Sequence, residues 1–144
     1  MNDLPSLTRD QRKIDAEHLR LLSIFHFIGA GLAFLALLGL LGHYALFHGF
    51  MDDPKLWVDS KRGPPPKEVF EVFRWFYLLF GLWFAASVGL NVMSGLFIRA
   101  RTSRMFSMIV AGLNCVQVPL GTVLGVFTLI VLMRDSVREA YEGA

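Results

Sequence analysis

Three stretches of the chain carry no charge. No Asp, Glu, Lys or Arg lies from Leu21 to Phe47 (27 residues), from Trp75 to Ile98 (24 residues) or from Met105 to Met133 (29 residues). About 20 apolar residues in a helix cross a bilayer core. The first two stretches therefore each predict one spanning helix. The third is long enough for one long helix or a tight helical hairpin, and its centre decides between them. Asn114-Cys115-Val116-Gln117-Val118-Pro119-Leu120-Gly121-Thr122 holds a proline that lacks a backbone donor and disfavours helix at Val118. Pro119 and Gly121 together punctuate a turn. In a single span, Asn114, Gln117 and Thr122 would lie at mid-membrane. In a hairpin they would lie near the far interface, where water satisfies them. The hairpin is short. Arg104 to Val118 is 15 residues, or about 22 Å of helix. Helices 3 and 4 must stop short of the full core, thin the bilayer or shelter behind helices 1 and 2.

The distribution of basic residues favours the hairpin. With four spans, Arg9, Arg12, Lys13, Arg20, Arg99, Arg101, Arg104, Arg134 and Arg138 share one side, nine against the five of Lys55, Lys61, Arg62, Lys67 and Arg74. With three spans the division is seven against seven. Cytoplasmic segments carry the excess of Lys and Arg, so four spans with both termini cytoplasmic is the expectation. The first apolar run is too long for the core of a cleaved signal peptide, and no small-residue cleavage site follows it. The expected organisation is an N-terminal segment 1–20, helix 1 at 21–47, an outer loop 48–68, helix 2 at 69–98 with an amphipathic start, a link 99–104, helix 3 at 105–118, helix 4 at 119–133 and a tail 134–144. This is an all-α integral membrane four-helix bundle in a plasma membrane.

The flanking segments add detail. Thr8-Arg9-Asp10-Gln11 has the form of a capping box. Residues 9–20 then either extend helix 1 or lie on the membrane surface. The outer loop sets Lys55, Lys61, Arg62 and Lys67 against Asp52, Asp53, Asp59 and Glu68. Gly63-Pro64-Pro65-Pro66 is a stiff stop before helix 2. Glu68 and Glu71 suit that helix's positive end. Tyr44, Trp57, Trp75 and Tyr77 stand where an outer aromatic belt belongs. The arginines of the 99–104 link are placed to meet anionic headgroups.

Composition agrees with this reading. Hydrophobic residues make up 54% of the 144 and charged residues 18%, below the quarter typical of soluble domains. The net charge of +2 is too balanced to suggest nucleic acid. A single Cys excludes an intrachain disulfide framework and a Cys-rich zinc site. No Asp, Glu, Lys or Arg lies inside a span, no nucleophile is paired with a base, and no glycine-rich phosphate loop opens a helix. We expect no catalytic residue, no cofactor and no enzyme.

Small residues recur at helical spacing. Gly81, Ala85 and Gly89 make one ridge of helix 2, and Ser87, Asn91 and Gly95 make another beside it. Gly121 and Gly125 do the same on helix 4, as do Gly29 and Ala33 on helix 1. Such ridges let backbones approach where lipid offers no hydrophobic drive. We read them as packing within the bundle, with a dimer face as the alternative. The intramembrane amides Asn91, Asn114 and Gln117 should point inward. They serve either interhelical hydrogen bonding or the lining of a pore. All four histidines, His18, His26, His43 and His48, lie on or beside helix 1. His26 is read as making a polar contact with a neighbouring helix. His43 and His48 lack the i,i+4 spacing of a helical zinc pair, and no metal site is expected.

Two strings, Glu17-His18-Leu19-Arg20-Leu21-Leu22-Ser23-Ile24-Phe25-His26 and Pro119-Leu120-Gly121-Thr122-Val123-Leu124-Gly125-Val126-Phe127-Thr128-Leu129-Ile130-Val131-Leu132, together resemble a family of small bacterial four-helix inner-membrane proteins. The resemblance implies a bacterial plasma membrane and four helices. It brings no catalytic or ligand residues and no activity with it. The expected function is a non-enzymatic module that packs against itself or a partner membrane protein within the lipid bilayer. The alternatives are a homo-oligomeric pore or facilitator lined by Asn91, Asn114 and Gln117, and a metal- or haem-binding subunit using the helix-1 histidines across a homodimer.

Overall fold

The charge-free stretches set the helices. A computed structural model of the chain describes residues 6–53, 55, 57, 58, 63 and 66–142, with the backbone alone at 6–9 and 67. Among these residues there are five helices: α1 (Ser6–Met51), α2 (Lys67–Ala100), α3 (Arg104–Asn114), α4 (Leu120–Leu132) and α5 (Asp135–Glu142). At 46 and 34 residues, α1 and α2 are about 69 and 51 Å long. Both are long and apolar enough to cross a membrane. The N-terminal segment extends α1 rather than lying apart from it. That helix opens at Ser6, before the expected cap at Thr8, whose side chain lies outside the described residues. Much of the outer loop, including Asp59, Lys61, Arg62, Pro64 and Pro65, also lies outside them.

α3 and α4 pack against each other and are shorter than the expected 105–118 and 119–133. At 11 and 13 residues, they reach only about 16 and 20 Å. α4 and α5 form a pair bent by 73° that passes as a third candidate span only if both are counted together. The expected tail thus holds a helix, α5. Asp135 in its first turn complements the dipole, and Val137 turns inward at 0% exposure.

The link between α2 and α3 is a tight backbone motif. The Thr102 amide donates to the Phe97 carbonyl at 2.9 Å and the Arg101 amide to Ile98 at 3.3 Å, the pattern that closes many helices. Arg101 and Ser103 take positive φ, 53° and 47°, where glycine is the usual occupant. Nearby, Arg104 Nε donates to the Leu132 carbonyl at 2.8 Å, satisfying an orphan acceptor at the end of α4.

The chain divides into two compact units, Met1–Ala30 with Gly89–Ala144, and Gly31–Val88. In the first, Leu19, Leu22, Ile98, Val131, Leu132 and Val137 form an apolar core, with Met108, Leu124 and Tyr141 packed on it. The second is an antiparallel pair built from the end of α1 and the start of α2. Phe47 and Phe73 meet at 4.8 Å between ring centroids and Tyr44 and Tyr77 at 5.1 Å. Leu40 lies 3.8 Å from where a Cβ on Gly81 would stand.

A buried polar clasp as candidate functional site

The distribution of polarity is inverted relative to a soluble protein. Asp15, Ser23, His26, Ser87, Asn91, Ser94, Ser107, Asn114 and Thr128 are buried, while Trp75, Leu82 and Val118 are 71, 72 and 79% exposed. Polar groups inside and apolar groups outside is the arrangement that lipid rewards.

Three of the buried residues, one from each of α1, α2 and α3, form one hydrogen-bonded set, and Thr128 of α4 lies against it. His26 lies on the inward stripe of α1 with Leu19, Leu22 and Ala30, spaced by three, four and seven residues as one helical face requires. Its Nδ1 lies 2.9 Å from Asn91 Oδ1, and with oxygen as acceptor the ring nitrogen donates. Asn91 and Asn114 form a reciprocal amide pair. Asn114 Nδ2 donates to Asn91 Oδ1 at 2.8 Å, and Asn91 Nδ2 donates to Asn114 Oδ1 at 3.1 Å. The oxygen of Asn91 thus accepts from two partners and is fully used. Thr128 donates to the Leu124 carbonyl at 2.7 Å, and its oxygen lies 3.3 Å from His26 Nε2.

Close backbone approach holds this set together. Ser23 Oγ donates to the Gly95 carbonyl at 2.8 Å. A Cβ on Gly95 would lie 3.1 Å from the Phe27 ring and 3.2 Å from the Ser23 carbonyl oxygen. At Gly121 it would stand 2.5 Å from the Asn114 carbonyl oxygen, and at Gly125 it would run into the Ala111 carbonyl oxygen. Gly29 faces Leu124 and the Asn91 amide at 3.5 and 3.7 Å, and Ala33 is buried.

The expected ridge Gly81, Ala85 and Gly89 behaves differently. Ala85 and Gly89 are exposed, and nothing lies within 4 Å of a Cβ on Gly89. It is the neighbouring ridge of Ser87, Asn91 and Gly95 that is buried. The register of α2 turns that face inward because it carries the hydrogen-bonding side chains.

Of the three amides, two meet. Gln117 stands apart in the α3–α4 turn, where its carbonyl accepts from the Gly121 and Thr122 amides. Asn114 is 3% exposed and bonded to protein, not left to water as the hairpin reading expected. The turn satisfies its own backbone. The amides of Cys115, Val116, Gln117 and Val118 find carbonyls within 3.2 Å, and Thr122 Oγ1 donates to Cys115 O at 2.8 Å.

A second polar group ties the chain ends together. Arg134 Nη1 donates to Asp15 Oδ1 at 3.3 Å and to His18 Nδ1 at 3.1 Å, and Gln11 donates to the same Asp15 oxygen. Among the described residues Asp15 Oδ2, Ser94 Oγ, Ser107 Oγ and the Tyr141 hydroxyl are buried without a hydrogen-bond partner. Burial pushes the Tyr141 phenol from 10.0 up to about 12, against a smaller downward pull from Arg101 and Arg104. Above pH 10 the unfolded phenol ionises while the docked one keeps its proton. Stability from this group is complete below pH 10 and is lost as pH rises towards 12. Tyr141→Phe should abolish that alkaline loss and cost little at neutral pH, since the hydroxyl has no partner. Unfolding titrations of both proteins from pH 8 to 12 check this, and equal alkaline loss would refute it.

The histidines do not gather. His43 Nδ1 lies 2.6 Å from the Tyr77 hydroxyl, and His48 Nδ1 lies 2.8 Å from Asp52 Oδ2. Among the described residues no three His, Cys, Asp or Glu side chains are grouped as metal ligands. Thr128 and Asp15 were not singled out by the sequence reading, and Arg134 entered it only as a charge in the topology count. Thr128 lies one turn beyond Gly125 on the packed face of α4, a spacing that would have singled it out. Comparisons with family models, curated proteins and solved structures find no match.

Proposed function

We propose that the protein is a non-enzymatic, multi-pass membrane protein that serves as a packing or assembly module. The observation that carries this reading is the pairing of buried polar side chains across the helices. His26, Asn91 and Asn114 hydrogen bond to one another, and Thr128 beside them donates to the Leu124 carbonyl. A pore lining keeps such groups for water and solute. Here two of the three candidate lining amides are consumed by helix pairing.

In this reading α1 and α2 carry the bilayer thickness, and α3 and α4 form a re-entrant hairpin completing an integral four-helix bundle. The self-satisfied turn supports this, because backbone at membrane depth must find its partners within the protein. A re-entrant hairpin returns to the side it left, so the nine-to-five division of basic residues still assigns both termini to the cytoplasm. The resemblance of residues 17–26 and 119–132 to bacterial inner-membrane proteins adds the plasma membrane to the proposal.

The test uses native mass spectrometry of the protein extracted at natural abundance, together with solute flux in vesicles. The expected result is a stable homo-oligomer or a stoichiometric partner chain, with no flux of small polar solutes above empty vesicles. Flux that Asn114→Leu abolishes while assembly stays intact would replace this reading with the pore.

A further inference from the structure

The unit formed by residues 31–88 holds an open groove of about 380 Å³ where α1 ends and α2 begins. Its floor includes Phe47, Phe73 and Tyr77, and its rim carries Asp52, Glu71 and Arg74. The charge pattern sets the level of this groove relative to the apolar segments. The first charge-free stretch runs through Phe47 to Met51, Asp52 is the first charge after it, and Arg74 is the last charge before the second stretch opens at Trp75. The rim charges therefore stand where both helices leave their apolar segments, at headgroup depth.

Charge and shape specify the occupant. Glu71 and Arg74 are three apart on α2 and so share a face. Neither has an ion-pair partner among the described residues, where Arg134 pairs with Asp15 and Arg138 with Glu142, and Asp52 is bonded to His48 Nδ1 at 2.8 Å. A ligand bearing one cation and one anion a few bonds apart answers both. Aromatic faces beside the carboxylate favour an ammonium, and a guanidinium favours a phosphate.

We propose that this groove binds the headgroup of a zwitterionic phospholipid, with its ammonium at Glu71 over the aromatic floor and its phosphate at Arg74, while Asp52 stays with His48. The acyl chains then run along the exposed apolar surface of the two helices, where Leu46 and Trp75 are bare. An anionic phospholipid offers the phosphate but leaves the Glu71 carboxylate unanswered. This goes beyond the packing role and is independent of it.

The experiment is native mass spectrometry of the delipidated full chain titrated with equimolar phosphatidylethanolamine and phosphatidylglycerol. The wild type should retain phosphatidylethanolamine about threefold more, the size of one exposed charge contact. Glu71→Gln should remove the preference, and Arg74→Gln should weaken retention of both lipids. Arg138→Gln, far along the chain in α5, should change neither. Both rim side chains are exposed, so these substitutions spare the fold. Equal retention of the two lipids by the wild type, a preference for phosphatidylglycerol, or an unchanged ratio in Glu71→Gln would overturn the proposal. A co-purifying peptide that displaces lipid from the wild type but not from Glu71→Gln would also overturn it.

Discussion

Gly125→Leu should separate α3 from α4. A Cβ at this position would run into the Ala111 carbonyl oxygen and stand 2.6 Å from Cys115 Sγ and 3.1 Å from Cys115 N. Two of the three obstacles are helix backbone, which cannot move aside without breaking the hydrogen bonds of α3. The Cys115 amide is itself engaged with Ala111 and Gly112. Overpacking a tight contact costs about 1–3 kcal/mol and occasionally more, and obstruction by backbone puts this site at the upper end or beyond. Gly89→Leu is the matched control. Nothing lies within 4 Å of its Cβ, so it should change stability by no more than about 0.5 kcal/mol. Equilibrium unfolding in mixed micelles compares the two. Equal effects would show that α3 and α4 are not joined through Gly125.

The second large effect is expected at Asn91. Its amide oxygen accepts from His26 and Asn114, and its nitrogen donates to Asn114. Asn91→Leu deprives both neighbours at once, whereas Asn114→Leu leaves the His26–Asn91 bond in place. Each polar group left unpaired inside costs about 1–3 kcal/mol, although measured side-chain hydrogen bonds in membranes reach only about 1.7. Asn91→Leu should therefore destabilise by roughly 2–4 kcal/mol and Asn114→Leu by about half of that. The same unfolding assay reads the order of the two variants, and the reverse order would remove Asn91 from the centre of the network.

Much of the helical layout was legible because charge is so costly in lipid. The absence of charge from Leu21 to Phe47 and from Trp75 to Ile98 located the two long helices, and Pro119 with Gly121 located the break between α3 and α4. The tail at 134–144 hid a helix. α5 is too short and too polar for a hydropathy pattern to reveal, and only the i,i+4 pair Val137 and Tyr141 marks its inward face. The polar side chains were legible singly but not as partners. That His26 meets Asn91, and Asn91 meets Asn114, depends on the axial register of three helices. A one-residue shift in any of them turns a side chain by about 100°. The ridge of small residues misled for the same reason. Gly81, Ala85 and Gly89 have the right spacing, but burial goes to the face whose side chains can hydrogen bond.

The central claim is that the buried amides clasp helices together and do not line a path for solute. A double-mutant cycle on Asn91 and Asn114, read by equilibrium unfolding with flux measured on the same preparations, tests it most directly. The account predicts strong coupling. The double variant combining Asn91→Leu with Asn114→Leu should be less destabilised than the sum of the single variants, with no flux from any of the four proteins. Additive single effects, together with wild-type flux that either substitution abolishes, would contradict it.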